Sequence, residues 1–328
     1  MIDAPSSVEC HFSTQKHKVL TPMIPANRRH FLAACMAPAL LPMRPVSAQE
    51  SPKNLPTDQL KKLADAHKGK VAISLKHLKT GESWALNSQT PMPTASLIKF
   101  PVMIEAYRQA AEKKVSLDQM ITLKKEDKVP GAGILTYDFT PGATLALRDA
   151  IRLMIKFSDN TATNLVVDVI GLPSTAKTMI AMGYPNTQLH SKVYKRETSI
   201  ALERSKQFGL GSTTADEMIR LFEELNRGKL VSPEASKEMY AHLLTCDDNE
   251  KFPKFLPHGT KIAFKTGSVD ASRTASGIFE TASGPVALCV LTTDNEDKSW
   301  IPENAGNLLC AHAAKIVFDH YNIKPAKA

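Results

Sequence analysis

The chain has 328 residues, 43% hydrophobic, 6% aromatic and 23% charged, the composition of a globular protein long enough to bury one sizeable core or two linked ones. That balance excludes collagen-like, disordered and multi-span membrane chains. Basic residues number 41 and acidic 33, a net +8; residues 1–48 hold five basic and two acidic groups, so the remainder carries 36 against 31, or +5. This small excess is spread without a Lys/Arg block, the pattern of a solvated charged surface rather than a nucleic-acid-binding one.

At the N-terminus Asn27-Arg28-Arg29-His30-Phe31-Leu32 precedes an apolar run ending at Met43, and Val46-Ser47-Ala48 supplies the small residues of a cleavage site. The pattern resembles a twin-arginine export signal. Interrupted by Pro38 and Pro42, the run falls well short of the roughly 20 residues a spanning helix needs. Residues 1–48 are therefore expected to be removed, leaving an exported, periplasmic or secreted chain without a stable membrane anchor. Leu32-Ala33-Ala34-Cys35 looks like a lipoprotein box but follows the arginines too closely to leave a hydrophobic segment before it. Met23 is an alternative start. Residues 49–328 hold Cys246, Cys289 and Cys310. An exported chain can oxidise one pair, and the sequence does not select which. Neither the cysteines nor the ten histidines have metal-ligand spacing, so no metal or cofactor is expected.

Along the remaining chain, 56–67 reads as a helix, and Val71 to Leu78 with Glu82 to Asn87 alternate about the Thr80-Gly81 turn as a hairpin. The spacing turns helical from Ser96 to about Glu112 and again from Leu145 to Gly171, where Ile151, Met154 and Ile155 share one face and Leu165, Val166 and Val169 another. Thr214 with Glu217 predicts a capping box, followed by the stripe Met218, Phe222 and Leu225 and a stop at Gly228. A helix from about Pro233 to Leu244 follows. Strands are predicted at Thr260–Ser268, Arg273–Glu280 and Val286–Leu291, and Leu309, His312, Ile316 and Val317 mark a closing helix. The expected fold class is thus α/β (α+β): an antiparallel sheet built from both chain ends, about 55–90 and 255–328, with flanking helices, plus an inserted all-helical lobe, about 91–254. A cleft between the two is the natural place for a site.

Three short motifs carry chemistry. In Ser96-Leu97-Ile98-Lys99 a serine and a lysine at i and i+3 share one helix face, near N–H groups that favour a developing anion. A buried, partly desolvated lysine can activate such a hydroxyl. Ser158-Asp159-Asn160 stands between two apolar-striped helices, and Lys265-Thr266-Gly267-Ser268 ends a strand, where alternation puts Lys265 and Gly267 on one face. Singly, each has a plain explanation: a helix cap, a second cap, and an exposed strand-end lysine beside a turn glycine. Together and in this order they are far more specific.

The set S-x-x-K, S-D-N, K-T-G, with gaps of 62 and 107 residues, resembles class A β-lactamases and the penicillin-binding proteins related to them. The likeness spans nearly all of 49–328, including Pro130-Gly131-Ala132-Gly133-Ile134-Leu135. It implies that Ser96 is the acylated nucleophile, Lys99 its proton acceptor, and Ser158 the hydroxyl that passes a proton to the lactam nitrogen. Asn160 would hold the substrate's side-chain amide. Lys265 and Thr266, with Gly267 allowing close approach, would bind its carboxylate, and Arg273 would assist. The N–H groups of Ser96 and Ser268 would form the oxyanion hole. For deacylation the likeness implies a glutamate, and Glu197, 68 residues before Lys265, stands about where it belongs. The surrounding E-x-x-L-N pattern fails, because Ile200 and Ala201 replace leucine and asparagine, and Glu203 competes with Glu197. The implied protein is a monomer acting on small-molecule β-lactams, with a D,D-peptidase or a slowly deacylating sensor as the alternative.

Overall fold

The computed structural model describes residues 55–322; the arginine pair, the cleavage site and Met23 lie outside them. Helix α1 (Thr57–Asp65) buries Leu60 and Ala64, one turn apart. Strands β1 (Lys70–His77) and β2 (Ser83–Leu86) form the predicted hairpin, with Ile73 opposite Leu86 and Lys76 opposite Ser83. After β3 (Met92–Pro93), a 3₁₀ turn over Ala95–Ile98 runs into α2 (Lys99–Ala111). Next come β4 (Met120–Thr122), the single turn α3 (Leu135–Asp138), β5 (Thr144–Ala146), α4 (Leu147–Lys156) and α5 (Asn160–Ile170). They are followed by α6 (Leu172–Ala181), β6 (Gln188–Leu189), α7 (Leu202–Phe208), β7 (Gly211–Thr213), α8 (Ala215–Asn226) and α9 (Pro233–Leu243). The chain closes through β8 (Ile262–Val269), β9 (Ser272–Thr281), β10 (Gly284–Thr293) and α10 (Ala305–Tyr321).

Five strands from the two ends of the described chain make one sheet in the order β2-β1-β10-β9-β8. Side-chain alternation divides its neighbours into two cores. Val71, Ile73, Leu75, Phe264, Phe279, Leu288 and Val290 pack with α1 and α10, whereas Ala72, Ala263, Ile278, Ala287 and Cys289 face the helices of the middle segment. Covered on both sides, β1 is buried over nearly its whole length, which explains why its apolar run is almost continuous.

The middle segment is not all helical as expected. It carries two small antiparallel sheets, β3-β7-β6 and β4-β5, whose strands of two or three residues are too short to display a period. Leu145, predicted helical, pairs in β5 with Ile121. Helices α6 and α7 also escape prediction, the first because Pro173 at its N-terminus resembles a breaker. Thr214 caps α8 by accepting from the Glu217 N–H at 3.2 Å, but Glu217 does not complete the box. Its carboxylate instead accepts from Asn186 and Thr187, tying α8 to the chain ahead of β6. Cys246, Cys289 and Cys310 are all unpaired thiols, and burial pushes Cys246 up to about 11 and Cys310 up to about 12. Among the described residues no helix is long and apolar enough to cross a membrane.

Candidate active site

Ser96 lies in the 3₁₀ turn that opens α2, half-buried on the wall of a cleft of about 590 Å³. Edge strand β8 packs directly on this turn. A Cβ at Gly267 would sit 2.4 Å from the Thr94 carbonyl oxygen and 2.7 Å from the Ser96 nitrogen, so only glycine lets the strand approach the serine. From the adjacent strand the Thr274 hydroxyl, next to Gly267, donates to the same Thr94 carbonyl at 2.9 Å and holds the turn in place.

One turn along, Lys99 is fully buried. Its Nζ stands 2.6 Å from the Ser158 carbonyl oxygen, 2.9 Å from Asn160 Oδ1 and 3.2 Å from Ser158 Oγ. Burial, followed by the nearby positive charge of Lys265, holds its pKa well below the ordinary 10.5, although Asp159 opposes the shift. A neutral amine has two N–H groups and one lone pair. With the carbonyl and Asn160 Oδ1 accepting the two hydrogens, the lone pair is left for a hydroxyl proton.

Ser158 sits between α4 and α5 with φ +52, a left-handed conformation costly for a non-glycine residue. Asp159 pins it there. One carboxylate oxygen accepts from the Ala162 N–H at 2.8 Å, capping α5. The other accepts from the N–H groups of Ile134 and Leu135 at 2.7 and 2.9 Å. Gly133 (φ +118) lies so close that a Cβ would approach the Asp159 Cγ to 2.3 Å. Charge-assisted hydrogen bonds are worth roughly 1.5–3 kcal/mol each, enough together to offset a strained φ. Asp159 is thus a helix cap, and the cap leaves Asn160 on the cleft wall and Ser158 within reach of Lys99. Asn160 also donates to the Pro130 carbonyl at 3.0 Å. From the sheet side Lys265, fully buried, places Nζ 3.1 Å from Ser158 Oγ and 2.9 Å from its own strand's Thr266 carbonyl. Burial lowers its pKa as well. One hydroxyl is thus shared between two lysines.

Two predicted substrate contacts point elsewhere. Thr266 follows Lys265 and so turns to the opposite sheet face, where its hydroxyl donates to the Asp248 carboxylate at 2.6 Å; Asp248 is also paired with buried Lys251 at 2.8 Å. Arg273, opposite Ser268 in the β8–β9 register, shares that far face and is 1% exposed. Its guanidinium donates to the carbonyls of Val269, Ser272 and Ser299 and lies under the Trp300 ring, 4.9 Å from the centroid. It shapes the rim of the cleft rather than gripping an anion within it. Ser268 does line the cleft with Ser96 and Asn160.

The predicted deacylating carboxylates are likewise displaced. Glu197 is exposed on a short 3₁₀ turn, Arg196–Thr198, and Glu203 is 85% exposed in a surface pair with Lys206; neither lines the cleft. The loop instead lines the cleft with Ser191 to Tyr194 and Arg196, among which Val193 is only 7% exposed. Asn164, buried in α5, clamps it by accepting from its N–H at 2.8 Å and donating to its carbonyl at 3.0 Å. Sequence reasoning missed both residues. The available signal was an asparagine beside an apolar helix stripe, which must find partners when buried.

The sequence profile described as "Beta-lactamase enzyme family" matches residues 55–321. Among characterised proteins, Beta-lactamase CARB-4 of Pseudomonas aeruginosa is 22% identical over 235 residues, 69% of this chain and 77% of that protein. Among solved structures, a beta-lactamase from Sphaerobacter thermophilus superposes with a TM-score of 0.72 at 26% identity, covering 82% of this chain and 98% of that one. The structure of PBP-A does so with 0.70 at 22% identity, covering 81% and 95%.

Proposed function

The chain belongs to the beta-lactamase enzyme family, and from that premise we propose that it opens β-lactams through an acyl-enzyme on Ser96 and hydrolyses the ester. The observation that carries the reading is that Lys99, one turn after Ser96, reaches Ser158 and Asn160, that Lys265 reaches the same Ser158 hydroxyl, and that Ser96 and Asn160 line one cleft. The Lys99 lone pair takes the Ser96 proton as Oγ attacks the lactam carbonyl. The N–H groups of Ser96 and Ser268 hold the oxyanion. When the C–N bond breaks, the proton returns to the nitrogen through Ser158 Oγ. Lys265 supplies the positive charge facing the substrate carboxylate, with Thr266 and Arg273 turned away. Water then attacks the ester, and Lys99, again neutral, is the base in reach.

A second reading is favoured by Val193. With an apolar residue on the cleft wall and both glutamates in solvent, the acyl-enzyme is long-lived and the chain behaves more as a penicillin-binding protein than as a fast hydrolase. Ser96→Ala is expected to abolish the colour change of a chromogenic cephalosporin; hydrolysis that persists in that variant sinks the assignment. The arginine pair and cleavage motif support twin-arginine export with Gln49 as the mature N-terminus. Replacing Arg28 and Arg29 by lysine should leave precursor inside the cell, and terminal sequencing that finds Met1, Met23 or a lipidated Cys35 on exported protein would refute the proposal.

A further inference from the structure

Immediately after the clamped Val193, Tyr194 adopts φ +56. A bulky aromatic residue rarely accepts this left-handed conformation, which is retained only where the surroundings over-determine it. Here they do. The Lys195 N–H closes a turn on the Lys192 carbonyl at 3.3 Å, the Lys192 N–H donates to the Thr198 hydroxyl at 3.0 Å, and Asn164 fixes Val193 at both its backbone groups.

The strain achieves no burial. Tyr194 is 64% exposed, and among the described residues its ring stacks on no other aromatic ring and its hydroxyl makes no hydrogen bond. It nevertheless lines the cleft with Ser96 and Asn160. Its direction is given by Gly131 (φ +88), where a Cβ would stand 3.0 Å from the Tyr194 hydroxyl, 3.2 Å from its ring edge and 2.8 Å from Asn160 Nδ2. The ring therefore runs along the bare backbone of Gly131 towards the Asn160 amide. Any side chain at 131 would come between them.

We propose that Tyr194 is a specificity-determining platform selecting β-lactams whose acyl side chain carries a planar aryl group. The inference rests on the reading of the cleft as a β-lactam site, in which Asn160 holds the side-chain amide. A substituent beyond that amide falls against the exposed ring, and aromatic stacking beyond simple burial is worth roughly 2- to 10-fold in affinity. This contact is what a strained and otherwise unpartnered tyrosine at the mouth of the site can contribute.

The test compares acylation rates, followed by intact mass, for two penicillins that share a nucleus and differ only in a phenylacetyl or an acetyl side chain. Tyr194→Ala should slow the phenylacetyl compound by about 3- to 10-fold and the acetyl compound by less than about 2-fold. Tyr194→Phe should retain the wild-type preference. Tyr194→Gly should lose that preference while melting no lower than wild type, because glycine relieves the strained φ, which separates a lost contact from a damaged fold. Equal losses for both compounds in Tyr194→Ala, or an unchanged preference, would overturn the proposal while the β-lactam reading stands. Failure of both compounds to acylate wild type overturns that reading and the proposal with it.

Discussion

Replacing Lys99 by methionine is expected to slow acylation of Ser96 by roughly 100- to 10,000-fold, the span of general-base assistance, without lowering the melting temperature at neutral pH. The two halves of this expectation have one cause. Burial and the neighbouring Lys265 charge hold Lys99 well below its ordinary 10.5, so between that depressed value and 10.5 the folded protein binds fewer protons than the unfolded chain. Stability then rises with pH between the depressed folded value and 10.5, and below that window the lysine is a net cost to the fold. Methionine removes the cost, which offsets the hydrogen bonds lost to Ser158 and Asn160. In wild type the same depression makes the neutral amine the working form, so the acylation rate should climb with pH and level off well short of pH 10.5. Stopped-flow acylation across pH, with calorimetric melting of the variant, checks both. A plateau reached only near 10.5, or full activity in Lys99→Met, removes Lys99 from the role of base.

Val193→Glu should have the second large effect, and in the opposite direction. Hydrolysis of an acyl-serine ester at neutral pH is fastest when a carboxylate holds the attacking water, and such assistance is again worth roughly 100-fold or more. Val193 lies on the cleft wall with Ser96 and Asn160, its backbone fixed at two points by Asn164, so a carboxylate there would be held in place rather than sampled. Single-turnover measurement of a preformed penicilloyl-enzyme should show faster release in Val193→Glu. Glu197→Ala and Glu203→Ala should change release by less than about 2-fold, as expected of exposed surface groups away from chemistry. If Glu197→Ala instead traps the acyl-enzyme, the 3₁₀ turn moves during catalysis and the glutamate indicated by sequence spacing is the base after all.

The contrast between these two predictions follows what a linear sequence can express. Ser96, Lys99, Ser158, Asn160 and Lys265 were legible because each belongs to a short motif whose internal geometry is set by one helix turn, one cap or one strand. Alternation along β8 also determines that Thr266 faces away from Lys265, although the family pattern suggested otherwise. Alternation along β9 likewise puts Arg273 on the far face, in step with Ala275 and Phe279. The loop from β6 to α7 was least legible. Its geometry rests on an asparagine 29 residues away in sequence and has no periodicity of its own, so a glutamate at nearly the right distance from Lys265 stood in for the valine that reaches the cleft. The sheet and long helices appeared through their apolar stripes, whereas strands of two or three residues had none to show.

Every proposed step runs through Ser96 as the point of covalent attachment. Intact-mass spectrometry of the protein mixed with benzylpenicillin, sampled from seconds to hours and followed by peptide mapping, tests this directly. The predicted result is a species heavier by one whole penicillin molecule, carried on the peptide containing Ser96, that forms quickly and is lost slowly. A wild-type protein that never gains the adduct, or an adduct that survives in Ser96→Ala, would contradict the account.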